Sequence, residues 1–281
     1  MSVIIPVGKA RKAYEVAMCG RWLFGGVLTC VAVAVLPVSA WASAWGPDPK
    51  ASEVIVKTEV VTASKGFDAS GSQAVDLPEW KEKRITVFTE RGLNEMLSVF
   101  AKANIQDIQI SSETFSGVGS VEIGLKTPLY RSERSAVSAS VSVEGFGKGR
   151  RDEFSAPRKT DPDVEVRLSA GHSAEVGKLP VFVDAQVARR ARSGPNANQW
   201  RIDLTVGARP SPKWIVMAQV FAGKTDRLNG FEARWTHVET SAVRFFDAKQ
   251  TLGVQFGVRQ TVSGENVPKS SAVTLGLWKR F

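Results

Sequence analysis

Charged side chains recur at every second residue inside otherwise apolar segments. The basic members are Lys57, Arg84, Lys126, Arg167, Arg190, Arg201, Arg209, Arg234 and Arg259. The acidic members are Glu59, Glu90, Glu122, Glu144, Glu165, Asp184, Asp203 and Glu232. Nearly balanced charges of this kind can do two things. Stacked in rings around a conduit, they select ions or polar solutes. Paired across a narrow interior, they neutralise one another and fill it. The near balance favours pairing, because a selective pore leans to one sign. Other chemistry finds little support. The two histidines beyond residue 44 are His172 and His237. His172 adjoins Ser173, but neighbouring strand residues point to opposite faces, and no Ser-His-acid pattern accompanies them. No P-loop, Rossmann glycine pattern or metal-ligand spacing occurs. An enzyme is therefore not expected, nor is a cofactor or a metal.

The elements that carry these charges are strands. Trp200, Ile202, Leu204, Val206 and Ala208 alternate with Arg201, Asp203, Thr205, Gly207 and Arg209. Leu252, Val254, Phe256 and Val258 oppose Gly253, Gln255, Gly257 and Arg259. Residues two apart share a face. Segments of this period, bounded by turn residues, fall at 52–63, 82–91, 95–104, 117–127, 135–146, 163–173, 180–192, 199–209, 213–223, 231–244, 250–262 and 271–281. Residues 93–110 also read as a helix. Connections alternate between longer ones after odd strands (about 18, 12, 16, 6, 7 and 8 residues) and shorter ones after even strands (about 3, 7, 6, 3 and 5), the pattern of a membrane barrel with both termini in the periplasm. Arg91-Gly92-Leu93-Asn94 and Pro210-Ser211-Pro212 read as tight turns.

An export signal accompanies the strands. Gly20-Arg21 precedes an apolar run from Trp22 to Leu36, and small residues follow at Val38-Ser39-Ala40 and Ala42-Ser43-Ala44. That run, about 15 residues, is short of the ~20 that span a bilayer as a helix. Cleavage is expected after Ala44, with Ala40 the second choice, and Met18 is an alternative start to Met1. The organisation is then 1–44 signal peptide, 45–51 short periplasmic segment and 52–281 barrel. Cys19 and Cys30 both fall in the signal, so the exported chain has no thiol for a disulfide or metal. Formal charge is +9 overall; removing Lys9, Arg11, Lys12, Arg21 and Glu15 leaves about +6. The positive residues are spread along strands instead of clustered, which argues against nucleic acid. The last strand carries Val273, Leu275, Leu277 and Phe281 on one face, interrupted by Lys279. That face and its final aromatic form the expected signal to the barrel-assembly machinery, with Lys279 snorkelling to the interface. Trp200, Trp214 and Trp235 are expected in an aromatic girdle at the lipid boundary. The fold class is all-β: a transmembrane, antiparallel, up-and-down barrel of about twelve strands in the outer membrane of a Gram-negative bacterium.

Several segments together resemble a known family. They are Trp45-Gly46 leading to Val54-Ile55-Val56; Gly66-Phe67-Asp68-Ala69-Ser70-Gly71; Glu90-Arg91-Gly92-Leu93-Asn94-Glu95-Met96-Leu97; Gly117-Val118-Gly119-Ser120-Val121-Glu122-Ile123-Gly124-Leu125-Lys126; and Gly276-Leu277-Trp278-Lys279-Arg280-Phe281. In this order they resemble proteobacterial outer-membrane barrels described as XagA-like. The resemblance implies an outer-membrane location and a part in adhesin or surface-polysaccharide production. Two functions follow as expectations. One is a transport or secretion-associated barrel for small solutes, or for polysaccharide or adhesin export. The other is a plugged structural or adhesive barrel whose loops at 64–81 and 147–162 touch outside partners.

Overall fold

The computed structural model describes residues 44–281 except 112, 153–156 and 158–160. The expected signal peptide lies almost wholly outside the described residues. Twelve antiparallel strands close into one barrel, each paired with its chain neighbours, and the first sealed to the last. They are β1 Ser52–Phe67, β2 Ala74–Asn94, β3 Leu97–Ile110, β4 Glu113–Arg131, β5 Ser135–Gly145, β6 Asp163–Val176, β7 Leu179–Ala191, β8 Gln199–Ser211, β9 Trp214–Thr225, β10 Arg234–Phe245, β11 Leu252–Glu265 and β12 Ser271–Arg280. Closure leaves no free edge along the barrel wall, where each strand pairs on both sides. At the seam Glu53 faces Arg280 and Thr62 faces Ser271.

Side chains sort by parity, and the sorting is inverted relative to a water-soluble barrel. Outward positions include Val60, Ile85, Ile123, Leu125, Val166, Leu168, Ile202, Leu204, Val206, Val254, Phe256 and Leu275, all exposed. Inward positions include Lys57, Glu59, Glu82, Glu122, Glu144, Glu165, Arg190 and Glu239, all buried. A continuous exposed apolar belt far exceeds what water tolerates on a monomer. It suits hydrocarbon, where the strands alternate lipid-facing and lumen-facing residues. Trp200 and Trp214 stand at the rims of this belt, each with an arginine over its ring (Arg189 at 5.1 Å, Arg244 at 5.4 Å).

The strands are longer than the sequence pattern suggests on one side. Residues 64–67, 74–81, 105–110 and 113–116 belong to β1–β4, where long loops were expected. Thus most of the loop expected at 64–81 is a tall hairpin with a short tip. Pro78 disguises it. The register skips from Ala63 opposite Trp80 to Lys65 opposite Asp76, so Pro78 falls in the irregularity, where its missing N–H removes no ladder bond. The 93–110 segment is strand from Leu97, not helix. The β2–β3 turn falls on Glu95 and Met96, after the expected Arg91–Asn94, and the Asn94 side-chain oxygen accepts the Met96 amide at 2.8 Å. Residues 146–162 do form a long connection, between β5 and β6.

Candidate functional site

The lumen has three layers. At the end holding the termini, apolar inward residues gather in one cluster: Ile55, Phe88, Phe182, Ile215, Met217, Val243, Phe245 and Trp278, with Phe100 against them. Midway they are charged. At the distal end, on the β1–β3 and β12 wall, Val61, Ala63, Trp80, Ile108 and Ala272 form a second apolar cluster.

The charged layer surrounds a cavity of about 350 Å³. On one wall Glu59 faces three cations: Lys57 at 3.4 Å, Arg259 at 3.6 Å and Arg84 at 3.8 Å. Lys57 also reaches Glu239 at 3.2 Å, and Arg84 reaches Glu82 at 2.6 Å. On the opposite wall Arg190 pairs with Glu144 and, at 2.8 Å, with Glu165. Arg167 bridges Glu165 at 2.8 Å and Asp203 at 2.5 Å. Arg201 lies 3.7 Å from Glu165, and Lys102 holds Glu122 at 2.5 Å. Hydroxyls complete the network: Ser142 donates to Glu122 and Ser120 to Glu144. Nearer the termini, Lys126 binds Glu90 at 2.8 Å. Water-excluded charges are tolerable only when paired and hydrogen-bonded in this manner.

Of the residues singled out in the sequence, Lys57, Glu59, Arg84, Glu90, Glu122, Lys126, Glu144, Glu165, Arg167, Arg190, Arg201, Asp203 and Arg259 line this cavity. Asp184 is inward but deeper, where its carboxylate accepts the Ala44 amide and the Gln186 amide. Arg209 sits at the terminal rim with its guanidinium 5.5 Å from the Phe182 ring centre. Arg234 and Glu232 lie elsewhere. Arg234 is exposed at the distal rim, between Glu232 at 3.1 Å and Glu265 at 3.4 Å. Both stand beyond the apolar belt, where the outward face meets water and a charge no longer marks the lumen. The inward face of β10 is instead His237, Glu239, Ser241, Val243 and Phe245. Trp235, expected in the girdle, also lines the cavity. Lys102, Glu82 and Glu239 were missed. Lys102 sits in the segment that also read as helix, and Glu82 began a strand whose start was set too late. Val273, Leu275, Leu277 and Phe281 face outward, as one stripe on β12.

Two segments outside the barrel wall pack at its two mouths, and the distal one lines the cavity. Residues 45–51, the expected periplasmic segment, lie at the terminal mouth, with Trp45 buried and Asp48, Pro49 and Lys50 exposed. Ala44 and Trp45 are buried against Ala136. Pro49 bridges β2 at Gly92, where Lys50 donates to the Gly92 carbonyl at 2.8 Å. At the distal end, residues 148–152 fold inward. The Arg150 amide donates to the Gln106 side-chain oxygen, and the Gln106 amide returns a bond to the Arg150 carbonyl, both at 2.9 Å. Gly149 lets this happen: a Cβ there would sit 2.4 Å from the Gly119 Cα. Arg150, Arg151 and Asp152 thereby join the lining.

His172 is not set up with Ser173. Its Nδ1 lies 2.8 Å from Ser135 Oγ across the β5–β6 ladder, on the exposed terminal rim. His237 meets the Thr261 hydroxyl inside the barrel at 3.0 Å. Among the described residues no acidic, histidine or cysteine cluster could hold a metal.

The fold is shared with solved outer-membrane barrels. The COG4313 outer membrane channel from Pseudomonas putida F1 superposes with a TM-score of 0.66 at 14% identity, over 87% of this chain and 100% of that one. The KdgM porin is more distant: TM-score 0.49, 6% identity, 81% of this chain and 99% of that one. No family model and no curated protein matches the sequence. The fold is therefore that of an outer-membrane barrel.

Proposed function

We propose that this chain is an outer-membrane channel for small solutes, closed in the conformation described. One observation carries the reading. The barrel wall keeps a charged cavity open inside it, Arg150, Arg151 and Asp152 narrow that cavity at its distal end, and Trp45 is buried in the terminal mouth against Ala136. A merely structural barrel has no need of a cavity, and a segment seated in a mouth can leave it. With the termini in the periplasm, the 45–51 segment is the periplasmic plug and the 148–152 segment the extracellular constriction. The exposed belt contacts outer-membrane lipid, and the β12 stripe is the element the assembly machinery would read.

The size of the cavity favours small polar or weakly hydrophobic solutes over polymers. Export of a polysaccharide or adhesin, as the XagA-like resemblance implies, would require a far wider lumen. The dense charge pairing favours a second reading, a permanently filled structural or adhesive barrel. Conductance of purified protein in planar bilayers decides between them. Full-length protein should open rarely, and a variant lacking 45–51 should conduct steadily, with conductance altered by Arg201→Ala. Silence of both proteins would sink the channel.

A further inference from the structure

Four cations of the charged layer stand nearer the open space than the acids they meet. The Lys102 side chain is 28% exposed and its partner Glu122 8%. Arg201 is 21% exposed, and the carboxylate beside it, Glu165, 5%. Arg167 stands in front of Glu165 in the same way, and Arg84 in front of Glu59. All four line the lumen cavity, so what is exposed is exposed to that cavity. These ion pairs are therefore dipoles with the positive end toward the open space. Asp203 is the one lining carboxylate exposed to a similar degree, at 24%, and it is tied to Arg167.

Arg201 has the least to hold it. It lies 3.7 Å from Glu165, beyond hydrogen-bond length. Glu165 is already taken: one of its oxygens accepts Arg167 and the other Arg190. Arg201 makes no hydrogen bond to any described residue. Its Nε is buried, whereas its two terminal nitrogens are neither buried nor bonded and so open on the cavity. A guanidinium donor inside a barrel is costly to leave unmet. Two forked N–H groups match a carboxylate or another oxyanion. Lys102 adds a second positive head to the same space, since it and Arg201 both act on Glu144.

We infer that the lumen binds a small monoanion, such as a short carboxylate, with Arg201 as its contact residue and Lys102 beside it. An ion in the cavity meets these cationic heads directly and the acids only behind them. The site itself needs only access to the lumen. Its consequence for transport rests on the channel reading: the open pore selects anions although its formal charges nearly balance, because exposed Arg and Lys heads set the field a passing ion meets.

Two measurements test this. Crystals of the exported protein soaked in bromide, and separately in rubidium, locate ions by anomalous scattering. Bromide should sit against the Arg201 guanidinium, acetate should displace it, and rubidium should be absent there. Reversal potentials in a potassium chloride gradient, on full-length protein and on the variant lacking 45–51, should show chloride favoured over potassium. Arg201→Gln should lower that preference about fivefold, the weight of one charge felt through water at about 4 Å. Lys102→Gln should lower it as well and keeps the test open if Arg201→Gln does not insert. Asp203→Asn should raise it, and Arg234→Gln, outside the lumen, should leave it unchanged. No bromide at Arg201, rubidium in its place, a pore that does not favour chloride, or an unchanged preference in an inserted Arg201→Gln or Lys102→Gln variant would each overturn the inference. Failure of the channel reads differently. Silence of both proteins with bromide at Arg201 keeps the site and removes the channel; steady conductance without bromide at Arg201 does the reverse.

Discussion

Gly171→Ala should unseat the plug without disturbing the barrel. Gly171 lies on the inward face of β6, under the Trp45 ring. A Cβ built there would stand 2.2 Å from Trp45 Cζ3 and 2.6 Å from Cη2, against the roughly 3.5–4.0 Å of a relaxed carbon contact. The strand cannot yield the missing distance. Gly171 is held opposite Ala136 of β5 and Asp184 of β7 in continuous ladders. Trp45 is tied only to the short segment before β1, so it must move. Burying a tryptophan removes about 150–250 Å² from water, worth about 4–6 kcal/mol at 25 cal/mol per Å². Ordering the residue costs about 1–2 kcal/mol, which leaves about 3 kcal/mol, or about a hundredfold in occupancy of the seat. Planar-bilayer recording should therefore show the open fraction of Gly171→Ala rising by up to two orders of magnitude. Heat-modifiable gel mobility should be that of the parent, since the ladders are intact. Unchanged open fraction, with Trp45 fluorescence still that of a buried indole, would refute both the seat and the plug.

Leu204→Arg or Val254→Arg places a cation on the lipid face at a cost of about 2–4 kcal/mol near the midplane; the amount of inserted barrel should fall, while Asp203→Asn, inside the lumen beside Arg167, should insert normally. Deleting Phe281 removes both seam bonds it shares with Ser52, at 2.9 and 3.3 Å, together with the last aromatic of the outward stripe, and should lower the yield of folded barrel in membrane fractions. The 246–251 turn should loosen only in acid. The Thr251 hydroxyl, with the Thr251 and Leu252 amides, holds the Asp247 carboxyl below its ordinary value of 3.8. Its contribution is therefore complete above that value and is lost as pH falls through the lowered one. Hydrogen exchange at Thr251 and Leu252 should show this dependence, and Asp247→Asn should abolish it.

The alternation of Trp200 to Arg209 or Leu252 to Arg259 fixes strand, facing and lipid-ward side by itself. The cause is local: successive side chains of a strand point to opposite faces, and in a membrane those faces meet opposite solvents. The lumen positions of Arg84, Glu122, Arg167, Arg201 and Arg259 were legible for this reason. Where the solvents stop differing, the code fails. Arg234 and Glu232 stand beyond the belt, where both faces meet water, and they misplace the inward side of β10 and hide Glu239. Only closure of the barrel decides what meets across it. Lys57 finds Glu239, and Arg190 finds Glu144, because β1 and β10, or β5 and β7, curve around one interior. The same holds for the two closures. Trp45 fits over Gly171, and Arg150 locks to Gln106, through contacts between segments far apart in the chain, and no period in the sequence records such contacts.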